Sequence, residues 1–353
     1  MRRRLKVAVT AILTPGDRVA PKQNFETIPL WAEQSQSVRS RSNGFTRAAA
    51  YLDPGVILSA AVLQAERRIS RGASPYKIAP ILNCDDNCPM PVSPWQRRIH
   101  RAQELASQHP FAAEILGFYI HVARFQEELH QQLSTVWQSP AASADRELTA
   151  SELSELSTRF EAFLSMTEAH GPKPLAGLSR ELRAQERDAC SDLLQGSWKA
   201  HSPADAPGLL AQAFLQPYAE LLRSRAQLRA SQTTYALCPF CHRKPALGVL
   251  RQMGDGGARS MICSFCLAEW EFRRIVCPGC GEESDKSLAV FTASDFDYIR
   301  VECCDVCKTY IKTVDLTKNG RAEPLVDELA SAPLDLWARE HGYAKLQNNL
   351  FGM

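Results

Sequence analysis

Eight of the chain's twelve cysteines stand in four C-x-x-C pairs: Cys238/Cys241, Cys263/Cys266, Cys277/Cys280 and Cys304/Cys307. Two thiolates two residues apart can chelate one metal, and two such pairs complete a tetrahedral four-sulfur shell. Eight thiolates therefore call for two metal ions per chain. Cys238 to Cys277 is an offset of 39 residues and Cys263 to Cys304 an offset of 41. The stretch thus reads as a tandem repeat, each copy holding one complete shell. Sulfur-only shells suit zinc and mononuclear iron alike; zinc is the common structural choice, and iron stays open. Four cysteines leave no open coordination position, so hydrolytic metal chemistry is disfavoured. A structural role or outer-sphere electron transfer fits better. The competing reading, a disulfide framework, belongs to small secreted chains, whereas this one has 353 residues.

The elements that must position these thiols are strands. An apolar run follows each pair, at 247–250, 270–275, 288–291 and 310–314. Each copy predicts a knuckle, a returning β-hairpin and a second knuckle that closes the site. Gly-Asp-Gly-Gly at 254–257 reads as the turn of the first hairpin.

Upstream the pattern is helical. Ser93-Pro94 opens a helix running to about 108, and His109-Pro110 breaks it. Phe111, Ile115, Phe118, Val122, Phe125, Leu129 and Leu133 recur at steps of three and four, the mark of a long amphipathic helix. Within it, His121 and His130 read as ordinary histidines rather than ligands. Thr149-x-x-Glu152 is a capping box for a helix ended by Gly171. Further helices are predicted near 176–195, with Cys190 a core residue, and near 208–230, with Pro217 kinking or splitting the second. After the cysteines, 323–342 reads as a closing helix that Pro333 should kink or divide. The final residues either dock or hang loose. The fold class is α+β: a helical bundle, two tandem rubredoxin-like or zinc-ribbon modules and a C-terminal helix. The segments are 1–80, a basic and partly disordered leader with a helix near 54–71; 81–232, the bundle; 233–275, the first module; and 276–353, the second module with the closing helix. Cys84 and Cys88 form a C-x-x-x-C pair without partners.

The net charge of +2 implies no global pull toward nucleic acid or membrane. Residues 1–50 hold nine Lys/Arg against three Asp/Glu, whereas 237–315 hold ten against eleven. The start imitates a signal peptide, but its seven-residue apolar run at 7–13 includes Thr10, no A-x-A-like cleavage site follows closely and no stretch of about 18 apolar residues exists, so the compartment read is the cytoplasm, where thiols stay reduced.

The cysteine half resembles the formate dehydrogenase accessory protein family, FdhE. The likeness runs through Cys238-x-x-Cys241 with Pro245, through C-S-F-C-L-A-E-W-E-F-R-R-I-V-C-P-G-C and through E-C-C-D-V-C-K-T-Y-I-K. It ends in V-D-E-L-A-S-A-P-L-D, from Asp327 to Asp335. It extends into the helical part at R-A-Q-E-L-A-S-Q-H-P-F and covers about 95–350. His242 stands where the family usually has glycine, and Cys303 is an added thiol. The resemblance implies that the eight paired cysteines are the metal ligands and that iron is the metal. It also implies a cytoplasmic, non-enzymatic maturation factor that binds the catalytic subunit of a formate dehydrogenase. The contact surface is expected in the ribbon half, where Glu302, Thr309, Tyr310 and Lys312 crowd the fourth knuckle; Tyr310 reads equally well as a core residue, and the partner-binding residues stay unassigned.

Two other functions compete. Ribbons often bind nucleic acid, but this ribbon stretch is net −1, and eight thiolates with two divalent ions would take it to about −5, against the Lys/Arg excess that phosphate binding needs. A rubredoxin-like electron carrier would have no use for a large helical bundle. No G-x-S-x-G, H-E-x-x-H or paired-carboxylate motif marks a catalytic set.

Overall fold

A computed structural model describes residues 93–137, 146–203, 205–226, 236–254 and 256–353. The leader, its helix near 54–71 and the Cys84/Cys88 pair lie outside these residues.

Six helices form the bundle: α1 Pro94–Gln108, α2 Ala113–Val136, α3 Ala150–His170, α4 Lys173–Arg183, α5 Arg187–Lys199 and α6 Ala206–Arg225. Ser93 caps α1 by accepting from the Gln96 amide at 3.0 Å. At the start of α3 the capping box is complete. The Glu152 amide donates to Thr149 Oγ1, and the Thr149 amide donates to Glu152 Oε2 at 2.7 Å. Glu152 does more than cap: it also receives Arg146 and the Tyr218 hydroxyl from α6. Burial alone would raise its pKa, but these bonds outweigh it and hold the carboxyl at about 2. Phe160, Phe163 and Phe214 pack at the bundle centre with ring centroids 5.0–6.3 Å apart.

Two helix expectations need correction. The helix expected at 176–195 is two helices separated at 184–186, where no glycine or proline announces the break. Pro217 does not split α6, which runs through it from Ala206 to Arg225. Proline lacks the amide that would bond the carbonyl four residues back. That carbonyl, on Ala213, instead accepts from the Gln126 side chain of α2 at 2.7 Å. Cys190 is half-buried rather than fully in the core.

The cysteine half is one continuous sheet. Its strands are β1 Pro245–Met253, β2 Gly256–Cys263, β3 Glu269–Glu271, β4 Leu288–Ala293, β5 Phe296–Cys304, β6 Thr309–Asp315 and β7 Ala344–Lys345. The spatial order is β3-β2-β1-β6-β5-β4, with β7 beside β6. The repeat is visible strand for strand. β1, β2 and β3 make one antiparallel meander, and β4, β5 and β6 make the other. The run at 270–275 is strand only at its start, in β3.

The two meanders fuse where β1 lies parallel to β6, from Leu247 opposite Lys312 to Leu250 opposite Asp315. Gly248 faces Thr313 in that seam. A Cβ on Gly248 would stand 2.4 Å from Thr313 Oγ1, so only glycine fits without displacement.

The closing helix divides at Ser331 into α7 Pro324–Ala330 and α8 Ala332–Glu340, as Pro333 predicts. α7 packs on the β1–β6 seam and reaches the bundle. Arg101 of α1 grips Asp327 of α7 through two contacts, at 2.6 and 3.0 Å, and Tyr298 of β5 donates to the same carboxylate at 2.7 Å. The C-terminal residues dock: Phe351 lies 5.4 Å from Phe118 of α2, and Met353 is buried.

Two outcomes test these packing claims. Gly248→Ala should wedge the seam and cost about 1–3 kcal/mol, read as a lower denaturation midpoint. Glu152 has a folded pKa of about 2, below its unfolded value of about 4.3. Its contribution is therefore present above pH ~4 and lost as pH falls toward 2. Discounted for Arg146's partial exposure, it is about 2 kcal/mol. Glu152→Gln should remove that part of the acid sensitivity; an unchanged stability–pH curve would contradict the assignment.

Candidate metal centres

Each shell is built from one knuckle ahead of a hairpin and one at its far end. Cys238 and Cys241 precede β1, and Cys263 and Cys266 follow where β2 ends. Cys277 and Cys280 precede β4, and Cys304 and Cys307 follow at the end of β5. Antiparallel pairing sets Pro245 opposite Cys263 and Leu288 opposite Cys304, so the hairpins bring distant cysteines together.

All four knuckles turn the same way. The residue after the second cysteine is left-handed in each: His242 at φ 56°, Leu267 at 54°, Gly281 at 80° and Lys308 at 55°. That conformation lets backbone amides point back at sulfur. Phe240 N, Phe265 N and Gly279 N donate to the Sγ two residues earlier at 3.3–3.4 Å. It also explains why glycine suits this position. His242, Leu267 and Lys308 accept a local cost of about 1 kcal/mol each to hold it.

The eight paired cysteines fall into two groups, Cys238, Cys241, Cys263, Cys266 and Cys277, Cys280, Cys304, Cys307, with the sulfurs of each group within 4.8 Å of one another. In the first, Sγ–Sγ distances of 3.3–3.5 Å link Cys241 to Cys263 and Cys266, and Cys238 to Cys266. In the second, Cys277–Cys307 and Cys280–Cys304 are each 3.7 Å apart. A tetrahedron with metal–sulfur bonds of about 2.3 Å has edges of about 3.8 Å. The donor sets therefore fit one tetrahedrally bound ion each. Both groups lie within one repeat, so the pairing is within modules and not interleaved.

The centres differ in setting. Cys238, Cys241, Cys263 and Cys266 are all buried, whereas Cys280 is exposed and Cys307 half-buried. Thr309 Oγ1 lies 3.0 Å from Cys307 Sγ. Burial is the largest influence on Cys307, yet bonds from Thr309 and neighbouring thiols outweigh it and bring the thiol down to about 7. Cys303 belongs to neither shell. It neighbours Cys304 on β5 and so faces the other side of the sheet. There it packs with Phe296 and Trp337, and burial pushes its thiol up to about 12.

Beside the first centre sits Arg243, which sequence reasoning did not single out. Its guanidinium lies 3.5 Å from the Phe265 ring centroid and donates to the carbonyls of Ser197 and Trp198, at 3.0 and 2.8 Å, at the C-terminal end of α5. A cavity of about 250 Å³ opens here, walled by Trp198, Lys199 and His201 from the bundle and by Cys241, Arg243 and Phe265 from the knuckles.

Around the fourth knuckle Glu302 and Thr309 are half-buried, whereas Tyr310, as its core reading expects, and Lys312 are buried. Tyr310 is 1% and Lys312 0% exposed. Lys312 Nζ sits 2.6 Å from Asp335 and 3.0 Å from Glu328, and Lys345 closes the square on the same two carboxylates. Tyr310 donates to Asp335 at 2.7 Å. Glu302 is paired with the buried Arg259 of β2, which also bonds the carbonyls of Arg273 and Val276 between the two modules. These residues are internal ties, because a buried ammonium needs carboxylates around it. His121 stacks on His170 at 3.9 Å and His130 lies against Trp95; neither joins a ligand cluster among the described residues.

Paired thiolate knuckles at the ends of a shared sheet, seated on a helical bundle, define a protein built to hold two metal ions. The FdhE central domain matches residues 237–274 and the FdhE C-terminal domain residues 275–351. The chain is 28% identical over 267 residues to the Protein FdhE homolog of Aquifex aeolicus, covering 72% of this chain and 94% of that protein. It is 26% identical over 305 residues to the Protein FdhE homolog of Haemophilus influenzae strain KW20 / Rd, covering 81% and 95%. In fold it is similar to the crystal structure of the FdhE protein from Pseudomonas aeruginosa, with a TM-score of 0.52 and 24% identity over 74% of this chain and 96% of that one. The chain is thus similar to FdhE proteins through both cysteine modules, over residues 237–351, and along most of its length.

Metal stoichiometry checks the ligand assignment. Cys303→Ala should keep both metal equivalents, and Cys304→Ser should lose one while leaving the bundle folded. A lost equivalent in Cys303→Ala would move the fourth knuckle's ligand by one residue.

Proposed function

We propose that this protein is a cytoplasmic accessory factor that binds the catalytic subunit of a formate dehydrogenase and supports its maturation. The observation that carries this reading is the family likeness across both thiolate modules and the bundle together. The chemistry of the site agrees with it. Four thiolates saturate a tetrahedral ion, so neither centre offers the open position that Lewis-acid catalysis requires. Knuckle amides, Thr309 and the hairpin register fix the sulfurs, and the metal, when bound, supplies cross-linking of two chain segments. The acidic balance of 237–315 disfavours a phosphate backbone as the partner of this half. Among the described residues no helix is long and apolar enough to cross a membrane.

A maturation factor must release its client, so an affinity near micromolar, about −8 kcal/mol, is expected. Deleting the gene should abolish formate dehydrogenase activity while the enzyme polypeptide is still made. The wild-type gene should restore activity, and purified protein should capture the catalytic subunit. Full activity in the deletion strain would refute the proposal, and tight DNA or RNA binding would favour a nucleic-acid role.

A further inference from the structure

The two shells have the same four donors but not the same surroundings, and the difference centres on Arg243. A buried guanidinium is costly without an anion beside it. Arg243 is 3% exposed, and its hydrogen bonds go to two neutral carbonyls. Its Nη1 has no hydrogen-bond partner among the described residues. Glu147, which shares the cavity wall, is paired with Lys199, and Arg146 is paired with Glu152. The surroundings of Arg243 are otherwise those of the first shell: Cys241 lines the same cavity wall, and Phe265, whose ring lies 3.5 Å from the guanidinium, stands between Cys263 and Cys266. Four thiolates around a divalent ion carry a net charge of −2, so the guanidinium offsets half of it inside a dry site.

The second shell lacks this. Among the described residues its sulfurs meet the Gly279 amide, the Thr309 hydroxyl and one another, none of them a cation. Lys308, the basic residue of that knuckle, is exposed and paired with Asp305. Cys280 faces solvent.

We propose that Arg243 is the built-in counter-ion of the first metal centre, and that it makes the two shells unequal: the first holds its ion, and the second exchanges its ion with solution. Arg243 is a positioning residue, acting through the thiolates and touching no metal. The inequality does not depend on the maturation role, so it stands or falls separately from it.

The test uses the full chain loaded with cobalt(II) as the probe ion, with release to a chelator followed by the cobalt–thiolate absorption. Wild-type protein should release in two phases of equal amplitude. Cys280→Ser should lack the fast phase, which assigns it to the second centre. Arg243→Met removes the charge at similar volume and should speed the slow phase by about tenfold or more. Arg243→Lys keeps the charge but loses the stacking on Phe265 and the guanidinium's paired bonds, so it should speed the slow phase clearly less than Arg243→Met does. The fast phase should be unchanged in both variants. Equal acceleration by Met and Lys would reduce Arg243 to a packing role, and no acceleration by either would overturn the proposal. Should Arg243→Met fail to fold, the wild-type assignment still decides. A slow phase lost in Cys280→Ser would place the firmly held ion in the second centre and refute the inference.

Discussion

Closure of the thiolate shells is the constraint on which the cysteine half depends. Each meander contributes three strands and one four-cysteine group drawn from the two ends of its hairpin. A structural ion held by four thiolates contributes about 10–16 kcal/mol in small peptides at neutral pH. The sequence spends eight cysteines and four left-handed turns on meeting that geometry. An ion bound in each shell would therefore tie the two ends of its hairpin together, and conditions that protonate or oxidise the thiols would act on that tie.

From the shells the order propagates inward. The fourth knuckle leads directly into β6, whose Lys312 and Tyr310 meet Asp335 of α8 while Lys312 also meets Glu328 of α7. Asp327, one residue before Glu328, reaches across to Arg101 of α1. Arg243 does the same for the first centre by binding the end of α5. Both centres are thus tied to the helical bundle through buried charges. Removing one partner of such a pair costs about 3–5 kcal/mol, because the other charge stays buried. A change at a knuckle can be felt in the bundle by this route, and the bundle in turn holds each module in a fixed position on the seam.

The two four-cysteine groups were readable in the sequence because C-x-x-C spacing is a local property and the repeat points to the pairs that converge. The capping box at Thr149 and the division at Pro333 were readable for the same reason. What local pattern could not reveal was rescue at a distance. Pro217 looked like a break, yet Gln126 from another helix satisfies the carbonyl it frees. Lys312 lay where a contact surface was expected, yet its carboxylate partners lie near 330, beyond any short-range signal. The parallel β1–β6 seam joins residues more than 60 apart, and only the lone Gly248 in an apolar run hinted at a close approach. Arg243 carried one unread clue: a basic residue set two positions after a ligand cysteine.

The central claim is that two closed four-sulfur centres organise this half of the molecule. X-ray absorption at the metal edge of the purified, metal-replete chain tests it most directly. Two ions per chain, each with about four sulfur neighbours at about 2.3 Å and no nitrogen or oxygen in the inner shell, is the result expected. An inner shell containing nitrogen or oxygen, fewer than four sulfurs, or one ion per chain would contradict it.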